Sequence, residues 1–290
     1  MRLCAQSLSV FTAGSLARPF RELLDSFALI HPGVVPVQTN AGSVALARRI
    51  TDLGQIPDVY ASADIDVIPR LLVPRAADWY VAFARNEMVL LHGPASAGGD
   101  TIDASNWWRV VTAAGVRMGS SDPALDPSGY RTLLVFDLAE RYYRVSGLAG
   151  RLRAALPRRY LRPSETELIA LVQAGELDYA WSYRSLAVTS GLPYVELPHQ
   201  IDLGDPADSG EYAAASVKIG RGEGKDSLEI RGAPIEYGLT IPRAAPHPEV
   251  ARAFVQFVVS PVGRAILARN GLVPLDRPVV SGTLPAGLFR

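Results

Sequence analysis

The chain has one cysteine, Cys4, in 290 residues. A lone thiol excludes an internal disulfide and any paired-cysteine metal motif, and it leaves the redox compartment open. With Leu3 before it, a poor cleavage residue, Cys4 reads as an ordinary N-terminal thiol and not a lipid-anchor site. Net charge is missing too, since 29 Lys and Arg balance 29 Asp and Glu. No global field therefore gathers nucleic acid or an anionic membrane, and any partner has to be recognised locally. No apolar run reaches the length of about eighteen residues that a bilayer-spanning helix needs. The opening "MRLCAQ" lacks the apolar core of a signal peptide, which predicts either a cytoplasmic protein or a true start farther upstream.

Catalytic signatures are also scarce. A nucleophilic serine needs a base within reach and usually sits in G-x-S-x-G, which does not occur. The 4 histidines, His31, His92, His199 and His247, each lie beside Pro or Gly or at a strand end. "GRGEGKDS" (220–227) lacks the first glycine of a phosphate loop at the required spacing and follows no apolar strand, so it reads as a solvated turn. "RLRAALPRRYLRP" (151–163) is basic but spaced as a helix, which favours a solvated face over nucleic-acid binding. No catalytic residue and no cofactor is predicted.

What is present is an alternation of strands and helices, with 48% hydrophobic residues to fill a core. "RPFRELLDSFALIHPG" carries Phe20, Leu23, Leu24, Phe27 and Ile30 at helical spacing. "NEMVLLHG" reads as an interior strand, and helices are expected from Thr132 to about Val145 and from about Ser164 to Ala174. Gly204 to Gly232 reads as a long exposed hairpin or loop, "PIEYGLTIP" as a strand, and the C-terminal region as two helices. The pattern predicts α/β layers with mostly parallel sheets in two lobes, with a ligand between them. Residues 1–85 plus about 200–290 are expected to form the first lobe and 86–199 the second.

One motif occurs twice. "SLSVFTAGSLARPF" and "VPVQTNAGSVALARRI" each run an extended segment into Ala-Gly-Ser and then a helix, at Ala13-Gly14-Ser15 and Ala41-Gly42-Ser43. A helix N-terminus offers unpaired N–H groups and about half a positive charge, to which a serine hydroxyl adds a donor. Either serine alone is as well explained as an N-cap. Two copies, each after a strand, favour an anion cradle.

These stretches, together with "SSDPALDPSGYRTLLVFDLAERYY", "LIALVQAGELDYAWSYRSLAV" and "YVELP", resemble the molybdate/tungstate-binding proteins of ABC importers. These are type II periplasmic solute-binding proteins, and the likeness is greatest to the tungstate-selective branch of archaea and some bacteria. It runs from about Leu8 to Leu275, with several motifs in the same order. It implies a two-lobed type II periplasmic-binding-protein fold with a ligand cleft between the lobes, no catalysis, an extracytoplasmic place and a permease partner, in a monomer. It also implies ligand-binding roles for Gly14, Ser15, Ser43, Asp126, Pro127, Ser128, Glu165 and Tyr183. In the tungstate-selective branch an Asp and a Glu donate carboxylate oxygens to the metal, which implies direct coordination by Asp126 and Glu165.

Those carboxylates discriminate sharply. A negative side chain about 4 Å from a dianion, at an effective dielectric near 20, costs about 8 kcal/mol of repulsion. That cost is met if the oxygens bond directly to a high-valent metal centre, or if a carboxyl is protonated and donates a hydrogen bond. Sulfate and phosphate cannot enlarge their coordination shell, so the pair rejects them. Taken without the resemblance, Asp126 reads as a turn residue and Glu165 as a first-turn helix acid. Two positions depart from the family pattern: Ser128 stands where many relatives carry Cys, and Ser182 where a Glu is frequent. The expectation is a doubly charged guest held without fixed cations. A generic sulfate or phosphate binder and a cytoplasmic oxyanion sensor are the alternatives.

Overall fold

A computed structural model describes residues 6–220, 227–285 and 287–289. Cys4 and most of "GRGEGKDS" lie outside the described residues. The chain divides into one unit of Met1–Arg85 with Glu236–Arg290 and a second of Asn86–Ile235.

The chain enters the first unit through β1 (Gln6–Ala13), α1 (Ala17–Ile30), β2 (Val34–Ala41), α2 (Ser43–Leu53), β3 (Val59–Ser62) and β4 (Trp79–Asn86). It builds the second unit from β5 (Met88–His92), α3 (Trp107–Val111), β6 (Met118–Ser121), α4 (Pro127–Tyr143), α5 (Leu148–Ala154), β7 (Leu161–Arg162) and α6 (Glu165–Gln173). β8 (Tyr179–Tyr183), α7 (Arg184–Ser190), β9 (Tyr194–Glu196), α8 (Ser209–Tyr212), β10 (Ser216–Gly220) and β11 (Ser227–Arg231) follow. It returns through β12 (Ile235–Thr240), α9 (Pro248–Val259), α10 (Pro261–Arg269) and β13 (Val273–Gly282).

The apolar stripe of α1 does what its spacing predicts, burying Phe20, Leu23, Leu24 and Phe27. Phe20 and Phe27 meet Phe254 of α9 edge-on. Gly54 ends α2 at φ 64°, a left-handed turn that spares glycine the Cβ penalty. In the second unit Trp107 packs edge-on against Trp181 of β8 at 5.2 Å, so it is core.

The sheets are mixed where mostly parallel ones were expected. The first unit's order is β13-β4-β12-β3-β1-β2, with β1 parallel to β2 and β3, and β12 antiparallel to β3. The second unit's order is β7-β6-β8-β5-β9, with β6 parallel to β7 and β8, and β5 antiparallel to β8 and β9. β5 and β12, the strands entered as the chain changes unit, run against the βα strands beside them.

The expected return near residue 200 is also corrected, because residues 200–235 belong to the second unit. Buried Tyr212 anchors them, donating to the His199 carbonyl at 2.6 Å and to Asp202 Oδ1 at 3.2 Å. The β10–β11 hairpin is closed by Gly232 N–H on the Ala215 carbonyl, and both β10 and α8 lie against α4. The expected hairpin is present in this stretch, but it is not wholly exposed, because Val217, Ile219 and Ile230 alternate inward.

Candidate functional site

In the first unit both Ala-Gly-Ser motifs sit at the C-terminal ends of neighbouring parallel strands. Ala13 pairs with Ala41 in register, so Gly14-Ser15 and Gly42-Ser43 leave the sheet side by side. Ligands of open α/β sheets bind outside these strand ends. Ser15 lies in the buried turn Gly14–Leu16 that leads into α1, and Ser43 is the first residue of α2. Neither hydroxyl caps its helix, which removes the simplest alternative to anion binding. Ser15 Oγ instead accepts a 2.8 Å hydrogen bond from Tyr237 Oη, and Ser43 Oγ accepts one of 3.0 Å from the Ala63 N–H. An oxygen that is already accepting leaves its hydroxyl hydrogen to be donated.

The second unit repeats the rule on three parallel strands. β6 pairs with β7 through Ser121 and Arg162, and with β8 through Gly119 and Ala180, so their C-terminal ends lie together. The turn after β6 carries Asp126, Pro127 and Ser128; α6 begins at Glu165 just after β7; Tyr183 ends β8. All five are buried. Asp126 caps α4, its Oδ1 accepting from the Ser128 N–H at 2.9 Å, and Pro127 occupies the first helical position, where no N–H is needed. This cap starts α4 five residues before the expected Thr132. Ser128 Oγ and Ser121 Oγ are 2.7 Å apart. Strand alternation turns Ser182 to the face of β8 opposite Tyr183, and its Oγ has no hydrogen-bond partner among the described residues.

Charge at this second set departs from expectation. A cation is present after all: Arg131 of α4 is 5% exposed, and its Nη1 donates to Tyr183 Oη at 2.7 Å. Burial pushes the Asp126 carboxyl up to about 6, against the opposing pull of the Ser128 N–H, Arg131 and Ser121. Glu165 puts a second, fully buried carboxyl at the positive end of α6. Tyr237, Ala63, Ser121 and Arg131 were not singled out from the sequence, although "GYR" and "PIEYGLTIP" carry two of them. Their contacts reach across as many as 222 positions, where local patterning gives no signal.

The raised Asp126 value has a consequence for the unliganded protein. Its folded value lies above the ordinary 3.8, so the proton-linked stability is fully present below about 3.8 and is lost as pH rises through about 6. At pH 8 the ionised, buried group then costs about 3 kcal/mol. Asp126→Asn keeps the Oδ1 cap and removes that charge. The variant without ligand is expected to melt higher than wild type at pH 8, with the gap closing toward pH 5. Equal melting shifts at both pH values would show that no such cost exists.

The family model for bacterial extracellular solute-binding proteins matches residues 8–273. An uncharacterised solute-binding protein of Petrotoga mobilis is 42% identical over 269 residues, 93% of this chain and 84% of its own. The molybdate/tungstate-binding protein WtpA of Pyrococcus abyssi is 34% identical over 304 residues, 96% of this chain and 87% of its own. Among solved structures, the periplasmic molybdate-binding protein of Azotobacter vinelandii superposes with a TM-score of 0.66 at 18% identity, covering 92% of this chain and 98% of that one, a likeness of fold. With strand-end serines and carboxylates set on this α/β frame, the chain belongs to the bacterial extracellular solute-binding protein family.

Proposed function

We propose that the protein binds tungstate or molybdate outside the cytoplasm and delivers it to the permease of an ABC importer, as a monomer and without catalysis. The observation that carries this reading is the pair of fully buried carboxyls, Asp126 and Glu165, set among the hydroxyls and helix N-termini of strand ends. Donors of this kind suit an oxyanion, and the carboxyls suit one whose central atom accepts more oxygens. The name of the 34% identical WtpA supports the same guest. Ser15 and Ser43 donate to its oxygens, Ser128 and Tyr183 add further donors, and Asp126 and Glu165 bond to the metal.

Calorimetric titration with tungstate, molybdate, sulfate and phosphate tests this. Tungstate or molybdate is expected to bind at one per chain, and sulfate and phosphate to fail at the same concentrations. Ser15→Ala, which removes one donor to a charged guest, is expected to weaken tungstate by about tenfold or more. Sulfate bound as tightly as tungstate would overturn the reading in favour of a generic oxyanion carrier.

A further inference from the structure

Arg131 projects from α4 into the interior of the second unit, one helical turn after the Asp126 cap. Its Nη1 reaches Tyr183 Oη at 2.7 Å, which ties α4 to the end of β8. Its guanidinium carbon lies 5.6 Å from the Tyr183 ring centre and 5.9 Å from that of Tyr130, within cation–π range of both. Burying a guanidinium is costly, and here it serves a group that the proposed function assigns to the guest.

We propose that Arg131 is the positioning residue and fixed counter-charge of the oxyanion site, acting through the Tyr183 phenol. This rests on the oxyanion reading above. A phenol oxygen that accepts from a cation is polarised, so its O–H becomes a stronger donor, and the lone pair in use restricts where that O–H points. The positive charge thus reaches the guest through Tyr183. The setback matters for selectivity. An arginine in direct contact grips any tetrahedral dianion through its planar fork, sulfate included. Held behind the phenol, it strengthens the Tyr183 donor while leaving metal coordination to decide which guest stays.

The test is a tungstate titration of wild type, Arg131→Gln, Arg131→Lys, Tyr183→Phe and the Arg131→Gln/Tyr183→Phe pair. Arg131→Gln is expected to weaken binding by about 100-fold, and Tyr183→Phe by about 10-fold to 100-fold. Arg131→Lys keeps the charge and is expected to stay within about 10-fold of wild type. The double variant should bind no worse than the weaker single one, because both changes cut the same path. A purely structural role would give losses that multiply and that lysine does not rescue, and either result overturns the assignment. Unchanged binding by Arg131→Gln overturns it as well. Should Arg131→Gln not fold, the cycle is run with Arg131→Lys, whose smaller loss must likewise vanish in the Tyr183→Phe background; a loss that persists there counts against the proposal. Wild type that ignores tungstate would instead overturn the oxyanion reading itself, so the two failures are distinct.

Discussion

Glu165→Gln is expected to weaken tungstate binding by about 100-fold or more, equivalent to about 3 kcal/mol, while strengthening sulfate. The opposite signs follow from what the carboxylate does for each guest. In the proposed function it is a bond to the metal of tungstate, and a neutral amide oxygen is a poorer donor to a high-valent centre. For sulfate it is repulsion without a bond, on the scale of about 8 kcal/mol at 4 Å and an effective dielectric near 20. Removing the charge therefore hurts the first guest and helps the second. Glu165 is fully buried at the first position of α6, where glutamine fits the same space and keeps the helix start. Competition calorimetry reads both affinities in one variant. Parallel changes for tungstate and sulfate would mean that Glu165 acts on charge alone.

Gly129→Ala is expected to destabilise the protein by about 3 kcal/mol, the upper range for overpacking, and to abolish tungstate binding. A Cβ on Gly129 would lie 2.4 Å from the Ser121 carbonyl oxygen, 2.6 Å from the Pro123 nitrogen and 2.8 Å from the Asp122 carbonyl carbon. All three are backbone atoms, so no side chain can swing aside. The obstructed segment is the turn that carries Asp126 and Ser128, and relief would have to move that turn. Melting temperature should fall by about 5–10 °C. Gly150 of α5 has nothing within 4 Å of its own added Cβ, and Gly150→Ala should leave both melting and binding at or slightly above wild type. Near-equal behaviour of the two variants would remove the close packing of the turn from the account.

Much of this arrangement was legible in the sequence because it is local. Strand, Ala-Gly-Ser and helix follow one another within a few residues, and a parallel sheet then has to bring both junctions to one end. Asp126 and Glu165 stood out only through the family resemblance, and the structure sets both at the ends of the β6–β7–β8 strands. What escaped was non-local. Each serine alone looked as much like a cap, and the bonds from Tyr237 and Ala63 to their oxygens were out of reach of local pattern. Arg131 fell just before the helix expected from Thr132 and carried no signal of its own, since local spacing says nothing about a phenol 52 positions away. The late return of the chain escaped for a similar reason: Tyr212 and the hairpin after it find their partners on α4 and on the segment at Asp202, not in their own neighbourhood.

Tungsten X-ray absorption of the loaded protein reads the proposed bond between the buried acids and the guest's central atom directly. The expected spectrum shows a shell of six oxygens, two of them set farther out, which collapses to four in the Asp126→Asn/Glu165→Gln variant at saturating tungstate. A four-oxygen shell in wild type, unchanged in the variant, would contradict it.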